Sequence, residues 1–243
     1  MIVISAGMQK SGSAYIYNLI NDILIKSGKS DAREIKEKYK LHDIMKMHNN
    51  NIGGLRFKLL LKLIRVSFAE NVFVVKTHSR PSWAHNLFLK LGLLKTVYIF
   101  RDPRDVLLSA QDHGRKIIAK GEQHTFAELV DFDNAFRSVK KWVNVYEEYA
   151  DLKGVLCISY EDLMERPEIV LNKVTKYLGI TLSQEVLSEI MIKYDRKNPD
   201  ANMTGLHFNQ AKTKRHLTEL SKSELSGVKQ EIGNVLDKMN YQT

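Results

Sequence analysis

The chain has 243 residues, of which 44% are hydrophobic and 27% charged, a balance that excludes an intrinsically disordered protein and allows a sizeable core in one domain, 1–243. Cys157 is the only cysteine, which excludes an internal disulfide and favours a reducing, cytoplasmic location. The net charge of +9 is compatible with an acidic ligand, a nucleic acid or an anionic membrane surface. We expect no membrane span, because no apolar run approaches about 18 residues, and no signal peptide, because the chain starts almost directly on a strand.

The first motif is a short apolar run at 2–4, a small-residue loop at 5–13 and an apolar segment with helical spacing at 15–27. Glycines let such a loop turn with its N–H groups inward, and the helix adds the positive end of its dipole. Lys10 adds a full charge, so the loop suits a phosphate or another tetrahedral anion. The nucleoside-triphosphate pattern fails because Lys10 precedes Gly12, and an ordinary strand-to-helix turn explains the loop equally well.

Two further helices are predicted before the second strand. The charged stretch 30–47 is predicted to be helical and exposed. In 55–68, Lys58, Lys62 and Arg65 fall on one helical face and leucines on the others. We favour a core-packed helix with a solvated basic edge, and a weak contact of 55–68 with a membrane surface is the alternative.

The apolar run 72–76 predicts a buried strand that leads directly into Thr77, His78 and Arg80. Polar groups at the carboxyl end of a parallel strand usually lie in the ligand crevice. A lone histidine in this position is more often structural. The neighbouring Lys76 and Arg80 strengthen a functional interpretation of His78 without deciding it.

A third buried strand is predicted immediately before Arg101. Asp102 can cap the helix that follows, and Pro103 suits its first position. Arg101 then precedes the cap, and Ser109 follows two turns into the helix. Two interpretations of Arg101 stay open at this point: it binds an anion, or it pairs with the Asp105 carboxylate.

The rest of the chain continues this alternation of strands and helices. The pattern predicts a helix over 125–150 with Trp142 and Tyr146 on its core side, a strand at 154–158, helices over 167–178, 182–194 and 223–239, and a polar, irregular stretch at 196–215. The fold class is therefore α/β, with a mainly parallel central sheet flanked by helices and a P-loop-like phosphate-binding loop after the first strand.

Several stretches of the chain resemble motifs of the sulfotransferases that use 3′-phosphoadenosine 5′-phosphosulfate (PAPS). Residues 9–15 (QKSGSAY) are similar to the family's 5′-phosphosulfate loop, PKSGTTW, and residues 101–109 (RDPRDVLLS) to its 3′-phosphate motif. Residues 76–78 (KTH) match a triplet of the cytosolic members, and 160–163 (YEDL) match a later family segment. Residues 198–202 (NPDAN) are a weaker match.

The resemblance implies a role for each matching residue. Lys10 would stabilise charge on the leaving phosphate, His78 would be the general base, and Lys76 would polarise the transferring group or hold His78. The implied donor-binding residues are Lys10, Ser11, Gly12, Ser13, Ala14 and Tyr15 of the loop, Arg101 and Ser109 at the 3′-phosphate, Tyr160 at the adenine, and Lys212, Lys214 and Arg215 in place of the family's R-K-G element. Ala14 and Tyr15 depart from the family pattern, which has threonine and tryptophan there.

The implied reaction moves a sulfuryl group from PAPS to a hydroxyl or amine and releases 3′-phosphoadenosine 5′-phosphate (PAP), without a metal. The acceptor would be a small molecule or a glycan, and we expect no nucleic-acid partner because no nucleic-acid module is recognised. Two other classes stay open. One is a kinase-like nucleotide-binding enzyme, and the other is a basic protein that binds nucleic acid or a membrane surface and keeps a vestigial nucleotide site.

Overall fold

The computed structural model describes residues 1–194 and 212–242. Within them the chain forms a four-stranded, all-parallel sheet in the order β2-β1-β3-β4. The strands are β1 (Ile2–Gly7), β2 (Phe73–Thr77), β3 (Leu94–Phe100) and β4 (Val155–Ser159). They lie where the sequence predicts them, so the α/β fold with a parallel sheet is confirmed. The extent of the domain, 1–243, stays a prediction.

Helices flank the sheet: α1 packs against β1 and β2, and α6 packs against β3 and β4. The described helices are α1 (Ser13–Lys26), α2 (Ala32–Lys38), α3 (Phe57–Glu70), α4 (Trp83–Lys90), α5 (Pro103–Ala119), α6 (Phe132–Ala150), α7 (Tyr160–Glu165), α8 (Pro167–Leu178), α9 (Gln184–Lys193), α10 (His216–Glu219) and α11 (Lys222–Lys238). In the described part of the chain, none of them combines the length and the apolar character needed to cross a bilayer.

The order of the strands fixes where a ligand can bind. β1 and β2 are buried along their whole length, as expected for parallel strands covered on both faces. β2 and β3 lie on opposite sides of β1, so the direction of the connections reverses there. Ligands of such sheets bind at the carboxyl ends of the strands beside this point. The strands on either side of this point end at Gly7, Thr77 and Phe100.

The prediction of a helix over 30–47 is wrong for its second half. Beyond α2, Lys40 and Met47 have φ values of 48° and 60°, which an α-helix does not contain. Lys46 instead pairs with Asn51: Lys46 N donates to Asn51 O at 2.9 Å, and Asn51 N donates to Lys46 O at 2.8 Å. Asn51 in turn bridges to Lys76 at the edge of β2. Pairing with a loop that is itself bound to a strand edge therefore replaces the local helical pattern at the end of this segment.

The predicted helix over 125–150 is divided into a 3₁₀ turn (Thr125–Val130) and α6. Asp131 separates the two, because its side chain accepts a hydrogen bond of 2.9 Å from Asn134 N and caps α6. Within α6, Tyr146 is buried and Trp142 is half-buried against the core, as predicted.

The helix predicted over 55–68 corresponds to α3, which packs into the core. Leu60 and Leu63 are fully buried, whereas Lys58 and Lys62 are exposed. The core packing of the favoured interpretation is therefore confirmed, and a contact of the exposed basic edge with a membrane surface stays a prediction.

Gly114 lets α5 approach the 3₁₀ turn closely. A Cβ at this position would lie 2.6 Å from the carbonyl oxygen of Phe126 and 3.0 Å from Cγ2 of Val130. Both atoms belong to the turn, and one of them is backbone, so a methyl group would push the turn away from α5.

We therefore expect Gly114→Ala to lower the free energy of unfolding by about 1–3 kcal/mol, because overpacking moves backbone as well as side chains. Gly227→Ala is the matched control: Gly227 is exposed inside α11, with no atom near its added Cβ. The control should gain about 0.5–1 kcal/mol from helix propensity. Urea unfolding measures both, and equal effects of the two substitutions would contradict the close approach.

Candidate active site

The loop between β1 and α1 is held in a fixed shape. Lys10 and Gly12 have φ values of 64° and 78°, which reverse the chain twice within three residues. The Ser11 hydroxyl donates to Met8 O at 2.5 Å, which ties the two ends of the turn together. A Cβ on Gly12 would lie 2.8 Å from the Tyr160 ring, so only glycine fits there. The Ser11 hydroxyl proton is thus used within the protein.

The same loop presents unused N–H donors. Among the described residues, the backbone N–H groups of residues 10–14 make no hydrogen bond. α1 begins at Gly12 with no side-chain cap, so its first amides and the positive end of its dipole lie at the loop. An anion would satisfy these donors, as at other helix N-termini.

His78 lies at this loop with its proton position fixed. Its Nδ1 is 2.7 Å from the carbonyl oxygen of Gly7, which can only accept, so Nδ1 carries the hydrogen. Its Nε2 accepts from Lys76 Nζ at 2.7 Å and is 3.4 Å from the Ser13 hydroxyl. Burial, and then the Lys76 charge, lower the pKa of His78 to about 3. The imidazole is therefore neutral, with its lone pair on the side of the loop.

Two lysines bring positive charge to the site at a cost in solvation. Burial lowers the pKa of Lys76 to about 8. Burial, followed by repulsion from Lys116, lowers the pKa of Lys10 to about 8. The Lys10 ammonium lies 5.9 Å from the centre of the Phe126 ring, and its charge adds to the burial that lowers the pKa of His113 to about 4. A bound anion would offset both the desolvation and the repulsion.

Arg101 follows β3 and is buried beside the loop. Its guanidinium lies 4.5 Å above the Tyr160 ring. Nη2 donates to Asp105 Oδ2 at 3.2 Å and to Lys212 O at 2.7 Å. Nε is buried and has no partner among the described residues. Nη1 donates to Lys10 O at 3.5 Å. Pairing with Asp105, one of the two interpretations left open, is therefore observed, and the buried Nε remains a donor for a ligand. Ser109 lies buried further along α5.

The structure adds a clamp that the sequence does not reveal. Asp105 is fully buried and accepts from both N and Nδ1 of His216, at 3.0 and 2.9 Å. Burial alone would raise the pKa of Asp105, but the hydrogen bonds from His216 and the charge of Arg101 outweigh it and lower that pKa. This carboxylate thus fastens the start of α10 to α5 next to Arg101.

The late basic residues divide into two groups. Lys212 meets Arg101 through its backbone carbonyl, and the side chains of Lys212 and Lys214 are exposed. Arg215 is buried and pairs with Asp112 at 2.9 Å and Glu219 at 2.7 Å, so its charge is already matched. A donor-binding role for these residues stays a prediction. Residues 198–202 lie outside the described residues.

Both tyrosines among the predicted donor-binding residues, Tyr15 of the loop and Tyr160, are packed within the protein. Tyr15 is buried, and its ring centre lies 5.4 Å from that of Tyr194. No motif or spacing in the sequence indicates this contact. Tyr160 lies against Gly12 and Arg101. Both border the loop, and adenine binding by either one stays a prediction.

Residues 2–233 match the sulfotransferase domain family. The chain belongs to that family. Sulfotransferase 1 family member D1 of Mus musculus is 27% identical over 143 residues, 54% of this chain and 47% of that protein. Luciferin sulfotransferase of Photinus pyralis is 30% identical over 104 residues, 40% of this chain and 27% of that protein. The matches therefore span about half or less of these relatives.

Solved structures share the fold. Retinol dehydratase in complex with androsterone and the inactive cofactor PAP has a TM-score of 0.62 at 19% identity, over 97% of this chain and 80% of that one. An identity this low shows a common fold. It does not assign roles to individual residues of this sulfotransferase-family chain, which depend on the contacts described above.

The buried contacts of Asp105 lead to a prediction about stability. We expect Asp105→Asn to lower the free energy of unfolding by about 3–5 kcal/mol, because it leaves the buried Arg101 without its charge partner. Glu231→Gln is the control, since the exposed Lys140–Glu231 pair should contribute at most about 1 kcal/mol. Urea unfolding measures both.

The pH dependence provides a second measure of the clamp. A carboxyl with a lowered pKa stabilises the fold above its unfolded pKa of about 3.9, and this is lost as pH falls through the folded pKa. Asp105→Asn should therefore remove part of the acid destabilisation. An unchanged acid limb would contradict an ionised Asp105.

Proposed function

We propose that this protein transfers a sulfuryl group from PAPS to a hydroxyl or amine of an acceptor. The observation that carries the proposal is the position of His78. Its neutral Nε2 lies 2.7 Å from the Lys76 ammonium and 3.4 Å from Ser13 of the anion-binding loop. A proton acceptor and a phosphate-type site thus meet at one place, as a group transfer to a hydroxyl requires.

The residues present fit the two charged ends of PAPS. The amides of residues 10–14 and Lys10 would hold the 5′-phosphosulfate, because they are unused donors and a cation at one loop. The Ser13 hydroxyl, 3.4 Å from His78 Nε2, would join them. The buried Arg101 Nε, which lacks a partner among the described residues, would serve the 3′-phosphate together with Ser109. Bound there, PAPS would supply an activated sulfuryl group on a phosphate leaving group.

The chain's own residues would then move the proton. His78 Nε2 takes it from the attacking hydroxyl, and the resulting imidazolium keeps its Nδ1–H bond to Gly7 O. Lys76 must first turn away from Nε2. A bound anion would draw its ammonium, offset its charge and so raise the pKa of His78 from its low value. Lys10 would lie against the charge that develops on the leaving oxygen.

The acceptor is proposed to be a small molecule or a glycan. Support for a small molecule comes from the names of relatives, such as luciferin sulfotransferase. A kinase-like activity is less well supported, because the loop is not a Walker motif. The cytoplasmic location and independence of metal stay predictions.

The first test is ligand-induced stabilisation. PAP should raise the melting temperature far more than ATP, and Lys10→Ala should remove most of that effect. In turnover of labelled PAPS with an acceptor panel, Lys10→Ala should cost about 10²–10³-fold. Lys29→Ala, at an exposed lysine beyond α1, should match the parent protein. Stronger stabilisation by ATP would overturn the proposal in favour of a kinase-like protein.

The second test concerns His78 and pH. His78→Ala should slow single-turnover transfer by about 10²–10⁴-fold while PAP affinity is kept. Because the pKa of His78 is about 3, the parent's kcat/KM should have no limb from this group between about pH 5 and about pH 7. It should fall above about pH 8, where Lys10 and Lys76 lose their protons.

Lys76→Arg serves as the control for the alkaline limb, because a guanidinium does not titrate in this range. That variant should lose the part of the limb that Lys76 contributes. A His78→Ala enzyme that transfers at the parent's rate, corrected for folded fraction, would remove His78 from the mechanism.

A further inference from the structure

Carboxylates are nearly absent from the stretch that contains α3 and α4. Between Arg56 and Arg101 the sequence holds one acidic residue, Glu70. Its carboxylate already accepts from Lys38 at 2.6 Å and from the Tyr39 hydroxyl at 2.7 Å. The stretch therefore has no carboxylate left to neutralise its own surface.

Five cations of this stretch are exposed on α3 and α4. None of them forms an ion pair with a described residue, and they are Arg56, Lys58, Lys62, Arg65 and Lys90. Lys58, Lys62 and Arg65 follow one another at helical spacing along α3. The outward side of these two helices, called here the α3–α4 face, is thus uniformly basic.

The same face carries large apolar side chains in contact with water. Trp83, Leu87 and Leu91 are 69%, 40% and 60% exposed and recur every four residues along α4 and its end. Phe57 of α3, 37% exposed, stacks on Trp83 with ring centres 5.4 Å apart. Ala84 and Phe88 fill the core side of α4, so the outward stripe does not serve the core.

The chemistry of the face selects among possible occupants. A tryptophan and leucines beside lysines are the combination that binds the headgroup region of a bilayer, where the rings enter the interface and the cations meet anionic lipids. A second copy of the chain would bring the same cations against each other across a two-fold axis. A nucleic acid would leave the aliphatic stripe in water.

We propose that the α3–α4 face is a docking surface for an anionic lipid bilayer. Trp83, Phe57, Leu87 and Leu91 insert at the interface, and the cations of α3 and Lys90 lie at the headgroups. Binding is peripheral and reversible, because one short apolar stripe and a handful of charges give a modest affinity. It does not depend on the proposed sulfuryl transfer.

Co-sedimentation of the full chain with vesicles tests the proposal. Vesicles of phosphatidylcholine with about 30% phosphatidylserine should bind the protein, and phosphatidylcholine alone should bind it far less. The Lys58→Gln/Lys62→Gln variant should lower the partition coefficient roughly twenty-five-fold, at about five-fold for each cation. Trp83→Ala should lower it about ten-fold or more. Raising the salt concentration should weaken binding of the parent.

Matched variants elsewhere control for charge and apolar area. Lys222→Gln/Lys229→Gln removes two exposed lysines of α11, and Leu217→Ala removes an exposed leucine of α10. Both should bind like the parent. All the substituted residues are exposed, so circular dichroism should show unchanged folding for every variant.

Tryptophan fluorescence locates the contact. The chain has two tryptophans, so Trp142→Phe leaves Trp83 as the single emitter. Its emission should shift to the blue with the anionic vesicles and stay unchanged with phosphatidylcholine alone.

Four results would overturn the proposal. The first is binding that the α3–α4 variants leave unchanged, and the second is equal binding to both kinds of vesicle. The third is a dimer in solution that Trp83→Ala dissolves, which would assign the face to a second copy. The fourth is tighter binding to a short oligonucleotide than to the vesicles.

Discussion

The hydrogen bond on which the site depends runs 2.7 Å from His78 Nδ1 to the carbonyl oxygen of Gly7. It joins the residue after β2 to the last residue of β1, and it leaves the lone pair on Nε2, beside Lys76. The bond requires a glycine, because a Cβ on Gly7 would lie 2.6 Å from Cγ2 of Ile99 and would push β3 away. The parallel sheet therefore sets both the position and the tautomer of the imidazole before any ligand binds.

The buried lysines at the loop link the binding of an anion to the stability of the fold. Burial lowers the pKa of Lys10 and of Lys76 to about 8, and repulsion from neighbouring cations contributes to the shift of Lys10. Groups held in this way mark functional sites more often than structural ones. An anion at the loop would offset desolvation and repulsion together, so its binding energy would appear directly as added stability. Under the proposed function, the ligand-free protein therefore carries an electrostatic cost that a bound anion would remove.

Short-range patterns predicted most of the fold, because strands, the anion loop and the α5 cap are encoded within a few residues. Partners far apart in sequence were not predictable in this way. His216 reaches Asp105 across 111 positions, and Tyr15 packs on Tyr194, with no periodicity to indicate either contact. The second half of the helix over 30–47 was predicted wrongly for a related reason, since Lys46 pairs with Asn51, which bridges to the edge of β2, and local propensity cannot register such pairing. The resemblance supplied the site residues, and the structure supplied their partners.

Arg101 combines an observed structural role with the binding role proposed for it. A guanidinium has five donors, and here Asp105 and the Lys212 carbonyl share Nη2, Nη1 donates to Lys10 O at 3.5 Å, and the buried Nε has no partner among the described residues. An unpaired buried donor costs free energy that a bound phosphate oxygen would recover. Asp105 therefore fixes the plane of the arginine and leaves the buried Nε available to the proposed ligand. Because the side chain is already ordered, little conformational entropy is lost on binding, which a flexible lysine at this position could not match.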